Sequence, residues 1–344
     1  MEISLHVHIC LLTIILMASH VYSGCNLYQG NWEPDVSYPL YDSSQCPFIE
    51  KEFDCLRNGR MDRWYLKFKW KPSACELPRF DGRNFLKRLK GKTIMFVGDS
   101  LSLNQWQSLT CMLHIAVPRA KYTLYRTGDI STFAFPDYGV KVVLVRNAFL
   151  VDMVNENGHS VLRLDSISST KIWLNADVLI FNTWHWWLHH GRKQPWTYLT
   201  EGTKVYRDMN RLIAYEKALK TWSKWVDTHI NPSTKRVFFQ GVSPDHNNPM
   251  DWHEREAQNC STKKIPLKGP TYPGGPHPAE TVVKNVLRTM SKPVTLLDVT
   301  LLSQLRVDGH PSVHGHGGHT DMDCSHWCLA GVPDTWNQLL YAQF

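Results

Sequence analysis

The feature that most constrains the fold of this chain is the stretch from Thr93 to Ser100, which reads TIMFVGDS. Its apolar run is too short for a helix and rich in residues that favour strands, so it predicts a buried strand. Gly98 then permits a sharp turn, and the segment after Ser100 has no Gly or Pro, which predicts a helix. A serine at such a turn lies at the carboxyl edge of a sheet, beside the positive end of the helix dipole. Ser100 is therefore either a candidate nucleophile or, with Asp99, an ordinary helix cap.

After this turn, short apolar runs alternate with segments of helical periodicity. Such alternation is typical of a mostly parallel sheet covered on both faces, so we expect an α/β domain. The predicted strands are 140–145 with 149–151, 178–181, 236–240 and 294–299. The predicted helices are 210–230 and 282–290, and a loop rich in Pro and Gly is predicted over 267–278.

The segment from 24 to 92 differs from the rest of the chain. It has many aromatic residues, four cysteines and little helical periodicity. We interpret it as a loop-rich segment that needs disulfides to hold a small core. Its aromatic residues either form that core or present a wall that stacks on sugar rings. The predicted organisation is a leader over 1–23, this segment over 24–92 and the α/β domain over 93–344.

The leader has the character of a signal peptide. The apolar run from Ile9 to Ala18 is too short to span a bilayer comfortably, and residues 21–23 offer a cleavage site. The alternative is an uncleaved signal anchor, which would make the protein membrane-bound. Of the nine cysteines, Cys10 lies in the leader. The other eight cysteines predict up to four disulfides if the protein folds in an oxidising lumen, and the sequence leaves all 105 pairings open. These cysteines are Cys25, Cys46, Cys55, Cys75, Cys111, Cys260, Cys324 and Cys328.

Composition narrows the partners only slightly. The chain of 344 residues is 43% hydrophobic and carries a formal charge of +7, which is compatible with acidic and neutral polymers. Because no basic run is interleaved with aromatic residues, nucleic acid is not expected as a partner. Asn259 begins the sequon Asn-Cys-Ser and is a candidate glycosylation site.

A second decisive stretch, from Val313 to Cys328, is rich in His, Asp and Gly. One interpretation is a transition-metal site made from its four histidines and two aspartates. The other places Asp323 and His326, three residues apart, on one face of a turn. There the carboxylate can hold the Nδ1–H group and leave Nε2 free as a base. On these residues alone both interpretations stay open; no metal ligand is assigned.

Together these two stretches resemble the plant trichome birefringence-like family, whose catalytic domain is related to the GDSL or SGNH esterases. The similarity extends through 98–108, 181–187 and 243–246, and into the amino-terminal segment at 25–32 and 75–80. The resemblance implies an SGNH-hydrolase-like three-layer fold. It further implies a polysaccharide O-acetyltransferase of the plant cell wall, acting on xylan, mannan or pectin. The expected location is the Golgi lumen or membrane, or the cell wall.

The resemblance and the residue chemistry suggest the same roles. Ser100 is predicted to be the nucleophile, His326 the general base and then acid, and Asp323 the residue that orients the imidazole. The oxyanion donors would be the backbone N–H of Ser100 and the side chain of Asn182. Asn104 is a further candidate donor, although it could equally lie on the helix surface.

Several points stay open at this stage. The glycine that SGNH esterases keep between the nucleophile and the asparagine is not identifiable, and Gly128 and Gly139 both remain candidates. The aromatic run from Trp184 to Trp187 either packs in the core or forms a platform for sugars. As a guess, Cys55 and Cys260 would each bridge to one of the two cysteines that flank His326.

The reaction itself has open alternatives. An acetylesterase would use the same three residues with water as the acceptor, and a non-catalytic polysaccharide-binding protein would not need them. No bound cofactor is expected. An acetyl donor is required, and acetyl-CoA is one option, although no phosphate-binding Gly-rich loop followed by Lys is present.

Overall fold

The computed structural model describes residues 25–168, 170–254, 257, 259–315 and 322–344. The predicted leader therefore lies outside the described residues. Within the described ranges, no helix has both the length and the apolar character that crossing a bilayer requires.

The described part of the chain contains six α-helices: α1 (Gly82–Arg88), α2 (Ser100–Ala116), α3 (Arg211–His229), α4 (Pro278–Arg288), α5 (Thr300–Gln304) and α6 (Val332–Tyr341). Its strands are β1 (Gly30–Pro34), β2 (Phe68–Pro72), β3 (Thr93–Gly98), β4 (Thr123–Thr127), β5 (Ile130–Phe135), β6 (Val140–Arg146), β7 (Asp152–Glu156), β8 (His159–Arg163), β9 (Val178–Phe181), β10 (Tyr198–Glu201), β11 (Lys204–Tyr206), β12 (Arg236–Gln240) and β13 (Thr295–Leu297).

The centre of the fold is a seven-stranded sheet in the order β13-β12-β9-β3-β6-β5-β4. The strands from β13 to β6 run parallel, and β5 and β4 continue the sheet as an antiparallel hairpin. Because side chains alternate along a strand, β3 serves two cores. Ile94 and Phe96 pack with α1, α2 and α6, whereas Met95 and Val97 pack with α3 and α4. The result is the predicted three-layer α/β fold.

Most of the predicted elements of this sheet and its helices are confirmed, but the strand predicted over 149–151 is wrong. The backbone at Leu150 has φ +57°, and its N–H donates to Oδ1 of Asn147 over 2.8 Å. This asparagine turn ends β6 and redirects the chain.

A second sheet of four strands, in the order β11-β10-β8-β7, was not predicted. Its strands are only three to five residues long, and apolar residues occupy exposed positions such as Met153 and Val205, so the alternation of apolar residues is a weak signal. A local signal was nevertheless present, because Asn157 and Gly158 join β7 to β8 with φ values of 51° and 81°. An Asn-Gly pair with both residues at positive φ is the preferred two-residue hairpin turn.

The amino-terminal segment is loop-rich, as expected, with β1 and β2 as an antiparallel pair. Four disulfides tie down this segment and the loop that carries His326: Cys25–Cys75, Cys46–Cys111, Cys55–Cys328 and Cys260–Cys324. The last two bear out the guess that Cys55 and Cys260 bridge to the cysteines around His326. Several aromatic residues of the segment are core, including Trp32, Tyr65 and Trp70, whereas Trp64 is 65% exposed.

Candidate active site

Ser100 lies where β3 ends and α2 begins, at the carboxyl edge of the parallel strands. Asp99 caps the helix, since its Oδ1 accepts the N–H of Leu101 over 2.9 Å. A Cβ atom at Gly98 would collide with the backbone oxygen of Asn182 and with Oγ of Ser102. Glycine is therefore required here, because the two strand ends approach too closely for any side chain.

The structure brings the three candidate catalytic side chains together in one hydrogen-bonded chain. Nδ1 of His326 lies 2.9 Å from Oδ2 of Asp323, and Nε2 lies 2.7 Å from Oγ of Ser100. Asp323 and His326 are buried, whereas Ser100 is only half-buried. This is the arrangement in which an imidazole can take a proton from a serine hydroxyl that a substrate can reach.

The loop that carries His326 is held by backbone contacts on both sides. The backbones of Asp323 and Ser312 pair as an isolated β-bridge, with N–H to oxygen distances of 2.8 and 3.2 Å. The N–H of Cys328 donates to the carbonyl of Gly309 over 3.0 Å, and that of Leu329 donates to Phe53 over 2.9 Å. Since the disulfides at 324 and 328 add two covalent ties, the loop has little freedom to move the imidazole.

Asn104 connects this loop to α2. Its Oδ1 accepts the N–H of Trp327 over 2.8 Å, and its Nδ2 donates to the Trp327 carbonyl over 3.1 Å. The side chain is completely buried. The helix-surface alternative for Asn104 is therefore wrong, and the amide oxygen and one amide N–H pair with Trp327, the residue after His326.

Asn182 follows β9 and is buried beside the Ser100 turn, where its backbone N–H donates to the Val97 carbonyl over 2.9 Å. Its side-chain Oδ1 is buried and has no hydrogen-bond partner among the described residues. Oδ1 can only accept, so any help to a negative charge on a substrate must come from the NH₂ group of this amide, and the place of Asn182 at the carboxyl edge is compatible with that role.

Neither glycine considered for the third oxyanion donor is brought to Ser100. Gly139 precedes β6 and so lies at the amino edge of the parallel strands, opposite the site. Gly128 lies in the turn between β4 and β5, beyond β6. The chain that leaves β6 reaches the site at Asn147, whose N–H donates to the Gly98 carbonyl over 2.8 Å.

The charges around His326 favour a working base. Burial alone lowers its pKa, but the hydrogen bond and charge of Asp323, together with the more distant carboxylates of Glu52 and Asp99, leave that pKa above its usual value. Burial would likewise raise the pKa of Asp323, but the contacts with His326 and the backbone N–H of Ser325 hold it well below its usual range. Asp323 therefore stays ionised and can stabilise an imidazolium.

Asp99 is buried, and burial raises the pKa of its carboxyl. The backbone N–H groups of Leu101, His185 and Trp184 and the nearby His326 act in the opposite direction.

The amino-terminal segment contributes residues that sequence reasoning missed. The ring of Phe53 lies 5.6 Å from that of His326, and the half-buried Glu52 is close enough to act on its pKa. On another side, the ring of His185 lies 5.9 Å from His326. The bridge guessed for Cys55 was the signal that could have placed Phe53 and Glu52 here.

The run from Trp184 to Trp187 is mainly packing. Trp184 and Trp187 are buried, with Trp187 in a core with Phe149 and Trp196. Only His185 and Trp186 are half-buried, so a platform of four aromatic residues is not formed.

The structure gives little information on two other candidate sites, the transition-metal site and the glycosylation site at Asn259. Residues 316–321, on which most of the metal interpretation rests, lie outside the described residues, and His314 contacts the backbone of Asn58. Oδ1 of Asn259 accepts the N–H of Ser261 over 3.0 Å, and the middle residue of this sequon is in the bridge to Cys324.

Comparison with known proteins agrees with this architecture. A family model described as a GDSL/SGNH-like acyl-esterase family found in Pmr5 and Cas1p matches residues 77–343. The PMR5 N-terminal domain matches residues 23–76. Protein trichome birefringence-like 43 of Arabidopsis thaliana is 57% identical over 322 residues, which cover 93% of this chain and 88% of the relative. The chain belongs to the trichome birefringence-like family.

Two more Arabidopsis thaliana proteins show how far this similarity extends. Protein trichome birefringence-like 41 is 56% identical over 333 residues, which cover 96% of this chain and 93% of the relative. Protein trichome birefringence is 39% identical over 349 residues, which cover 94% of this chain and 57% of that protein. This trichome birefringence-like chain has four disulfides, which form and persist in oxidising compartments and therefore indicate a protein of the secretory pathway.

Proposed function

We propose that this chain is a cell-wall polysaccharide O-acetyltransferase that works through an acetyl-Ser100 intermediate. The observation that carries the proposal is the hydrogen-bonded chain from Asp323 through His326 to Ser100, with distances of 2.9 and 2.7 Å. A serine hydroxyl is a weak nucleophile at its own pKa, and a base at hydrogen-bond distance activates it.

In the first half-reaction, Oγ of Ser100 attacks the carbonyl carbon of an acetyl donor while Nε2 of His326 takes the hydroxyl proton. The backbone N–H of Ser100 and the side-chain amide of Asn182 donate to the oxyanion. When the tetrahedral intermediate breaks down, His326 returns the proton to the leaving group. Acetyl-CoA is one candidate donor.

In the second half-reaction, a sugar hydroxyl of xylan, mannan or pectin gives its proton to His326 and attacks the acetyl carbon. The new ester leaves, and His326 reprotonates Ser100. The site of action would be the Golgi or the cell wall, and the +7 charge is compatible with an acidic acceptor such as pectin.

A second candidate is a polysaccharide acetylesterase, in which water replaces the sugar hydroxyl. The description of the matching family as acyl-esterases favours this alternative. The two reactions share every catalytic residue, and they differ in whether a bound sugar excludes water from the acyl-enzyme.

Mass spectrometry separates these candidates. Purified protein is incubated with an acetyl donor and oligosaccharides of xylan, mannan or homogalacturonan, and in parallel with oligosaccharides that are already acetylated. Ser102→Ala is the matched control for Ser100→Ala, because Ser102 lies in the same helix and its buried hydroxyl has no partner among the described residues.

Acetyl on one oligosaccharide, absent with Ser100→Ala and retained with Ser102→Ala, would establish a transferase and its acceptor. Release of acetate without transfer would favour the esterase. If wild type and Ser100→Ala behave alike in both assays, the proposal is wrong and a binding protein is the better interpretation.

A further inference from the structure

Two buried histidines outside the catalytic chain lie directly behind His326. Nδ1 of His310 is 2.6 Å from the backbone carbonyl of His326, and Nε2 of His310 is 2.6 Å from Nδ1 of His246. At the far end, Nε2 of His246 is 3.0 Å from the carbonyl of Gln304. The pair thus forms a row that ends on the catalytic base.

The surroundings of the pair disfavour charge. Both side chains are almost completely inaccessible, and His310 stacks on Trp327 with ring centroids 4.1 Å apart. Burial lowers the pKa of His310 to about 4, and burial together with His310 lowers that of His246. The charged or titratable groups that face the pair are Arg60, His277, His326 and Asp323.

Proton counting then decides the direction of the hydrogen bonds. A neutral pair has two N–H groups for three contacts, so one contact must place two lone pairs against each other. If His246 donates to Gln304, the repulsive contact falls at one of the two 2.6 Å separations. If both N–H groups point toward His326, it falls at the 3.0 Å contact, where it costs least.

We propose that His310 and His246 are positioning residues for the catalytic base, with His246 donating Nδ1–H to His310 and His310 donating Nδ1–H to the carbonyl of His326. The bond holds the backbone of His326 at its carbonyl, whereas Asp323 holds its backbone N–H and its imidazole. This role rests on the proposed function of His326. It matters because an imidazole displaced by about 1 Å can cost about a hundredfold in rate.

The kinetic test uses near-isosteric pairs of variants. In His310→Asn the side-chain amide can still donate to the His326 carbonyl, whereas His310→Leu removes the donor; both lose the stacking on Trp327. The rate of Ser100 labelling by a fluorophosphonate probe reports activation of the serine without knowledge of the natural substrate. His246→Asn and His246→Leu repeat the comparison one step further away.

We expect His310→Leu to lower the limiting labelling rate about ten- to hundredfold with little change in the half-saturating probe concentration. His310→Asn should retain the wild-type rate to within about threefold. His246→Leu should likewise be labelled more slowly than His246→Asn, with a smaller difference in rate than between the two His310 variants. Equal losses in His310→Asn and His310→Leu would overturn the proposal, because packing alone would then explain the effect.

A second measurement needs neither activity nor variants. In wild-type protein with ¹⁵N-labelled histidine, NMR assigns the protonated nitrogen of each ring. Protonated Nδ1 on both His246 and His310 supports the proposal, and a bare Nδ1 on either ring overturns it. If Ser100→Ala is labelled as fast as wild type, the proposed function fails, but the tautomers still decide this inference.

Discussion

Replacing Asp323 by Asn should disable the site by changing the tautomer of His326. In the native protein, Oδ1 of Asp323 accepts the backbone N–H groups of Ser325 and His326, both over 3.0 Å, while Oδ2 accepts Nδ1–H of His326. An amide has only one acceptor oxygen, which must remain with the two backbone donors. The new NH₂ group therefore faces Nδ1 and forces that nitrogen to accept.

The magnitude follows from where the imidazole proton then goes. With Nδ1 accepting, the proton sits on Nε2, which is the atom 2.7 Å from Oγ of Ser100 and the one that must act as the base. Loss of the base through the wrong tautomer costs about 10⁴-fold in kcat in serine enzymes of this kind. At about 1.4 kcal/mol for each factor of ten, this is about 5.5 kcal/mol of transition-state stabilisation.

The assay is burst-phase acetylation of Ser100 by an activated acetyl ester, followed by mass spectrometry of the intact protein. Asp42→Asn is the matched control, since Asp42 is an exposed cap and asparagine caps equally well. We expect wild-type rates for this control and unchanged thermal unfolding for both variants. A loss of less than about tenfold in Asp323→Asn, with the fold intact, would refute the tautomer argument.

Three other variants test the surroundings of these three residues. Glu52→Gln removes a charge that raises the pKa of His326, so the acid limb of the pH–rate profile should move to lower pH; an unchanged limb contradicts this. Asn182→Ala should lower kcat about 10²- to 10³-fold with little effect on KM, as measured by steady-state kinetics. Serines in place of Cys55 and Cys328 should cost about 2–5 kcal/mol of stability by denaturant unfolding. The Cys55/Cys328 variant should also lose more activity than a variant that lacks the Cys25–Cys75 bridge of the amino-terminal segment. Equal losses of activity in the two variants would contradict a special role of the bridge to the His326 loop.

The parts of the site that sequence could predict are those with a local signature. The turn at Ser100 follows from a strand, a glycine and a helix start within a few residues. Asp323 and His326 could be paired with each other because three residues on a turn bring side chains to one face. That this pair lies close to Ser100 could be predicted only from the family resemblance or seen in the fold, because 226 positions separate the serine from the histidine.

The parts that sequence could not predict depend on long-range contacts. Asn104 was taken for an oxyanion donor or a surface residue, because nothing in its neighbourhood indicates that Trp327 packs against it. His246 and His310 carry no sign that they meet, since each lies in a loop 64 residues from the other. The third oxyanion donor is a different case, because neither Gly128 nor Gly139 reaches Ser100, and the loop after β6 approaches the site at Asn147 instead.

The amino-terminal segment and the α/β domain share one core, although the two family models divide the chain between residues 76 and 77. The indole of Trp32 donates to the Leu302 carbonyl over 2.8 Å, and the guanidinium of Arg60 donates to the carbonyls of Asp308 and His310 over 2.7 and 2.9 Å.

Other contacts of the amino-terminal segment matter for the proposed chemistry because they reach the loop that carries His326. Phe53 and Cys55 hold it from one side, through a backbone hydrogen bond and a disulfide, and His310 holds it from another. A serine at a sheet edge needs only its local turn, but a base on a long loop needs outside support. The amino-terminal segment supplies part of that support, so it belongs to the candidate active site as much as the turn after β3 that carries Ser100.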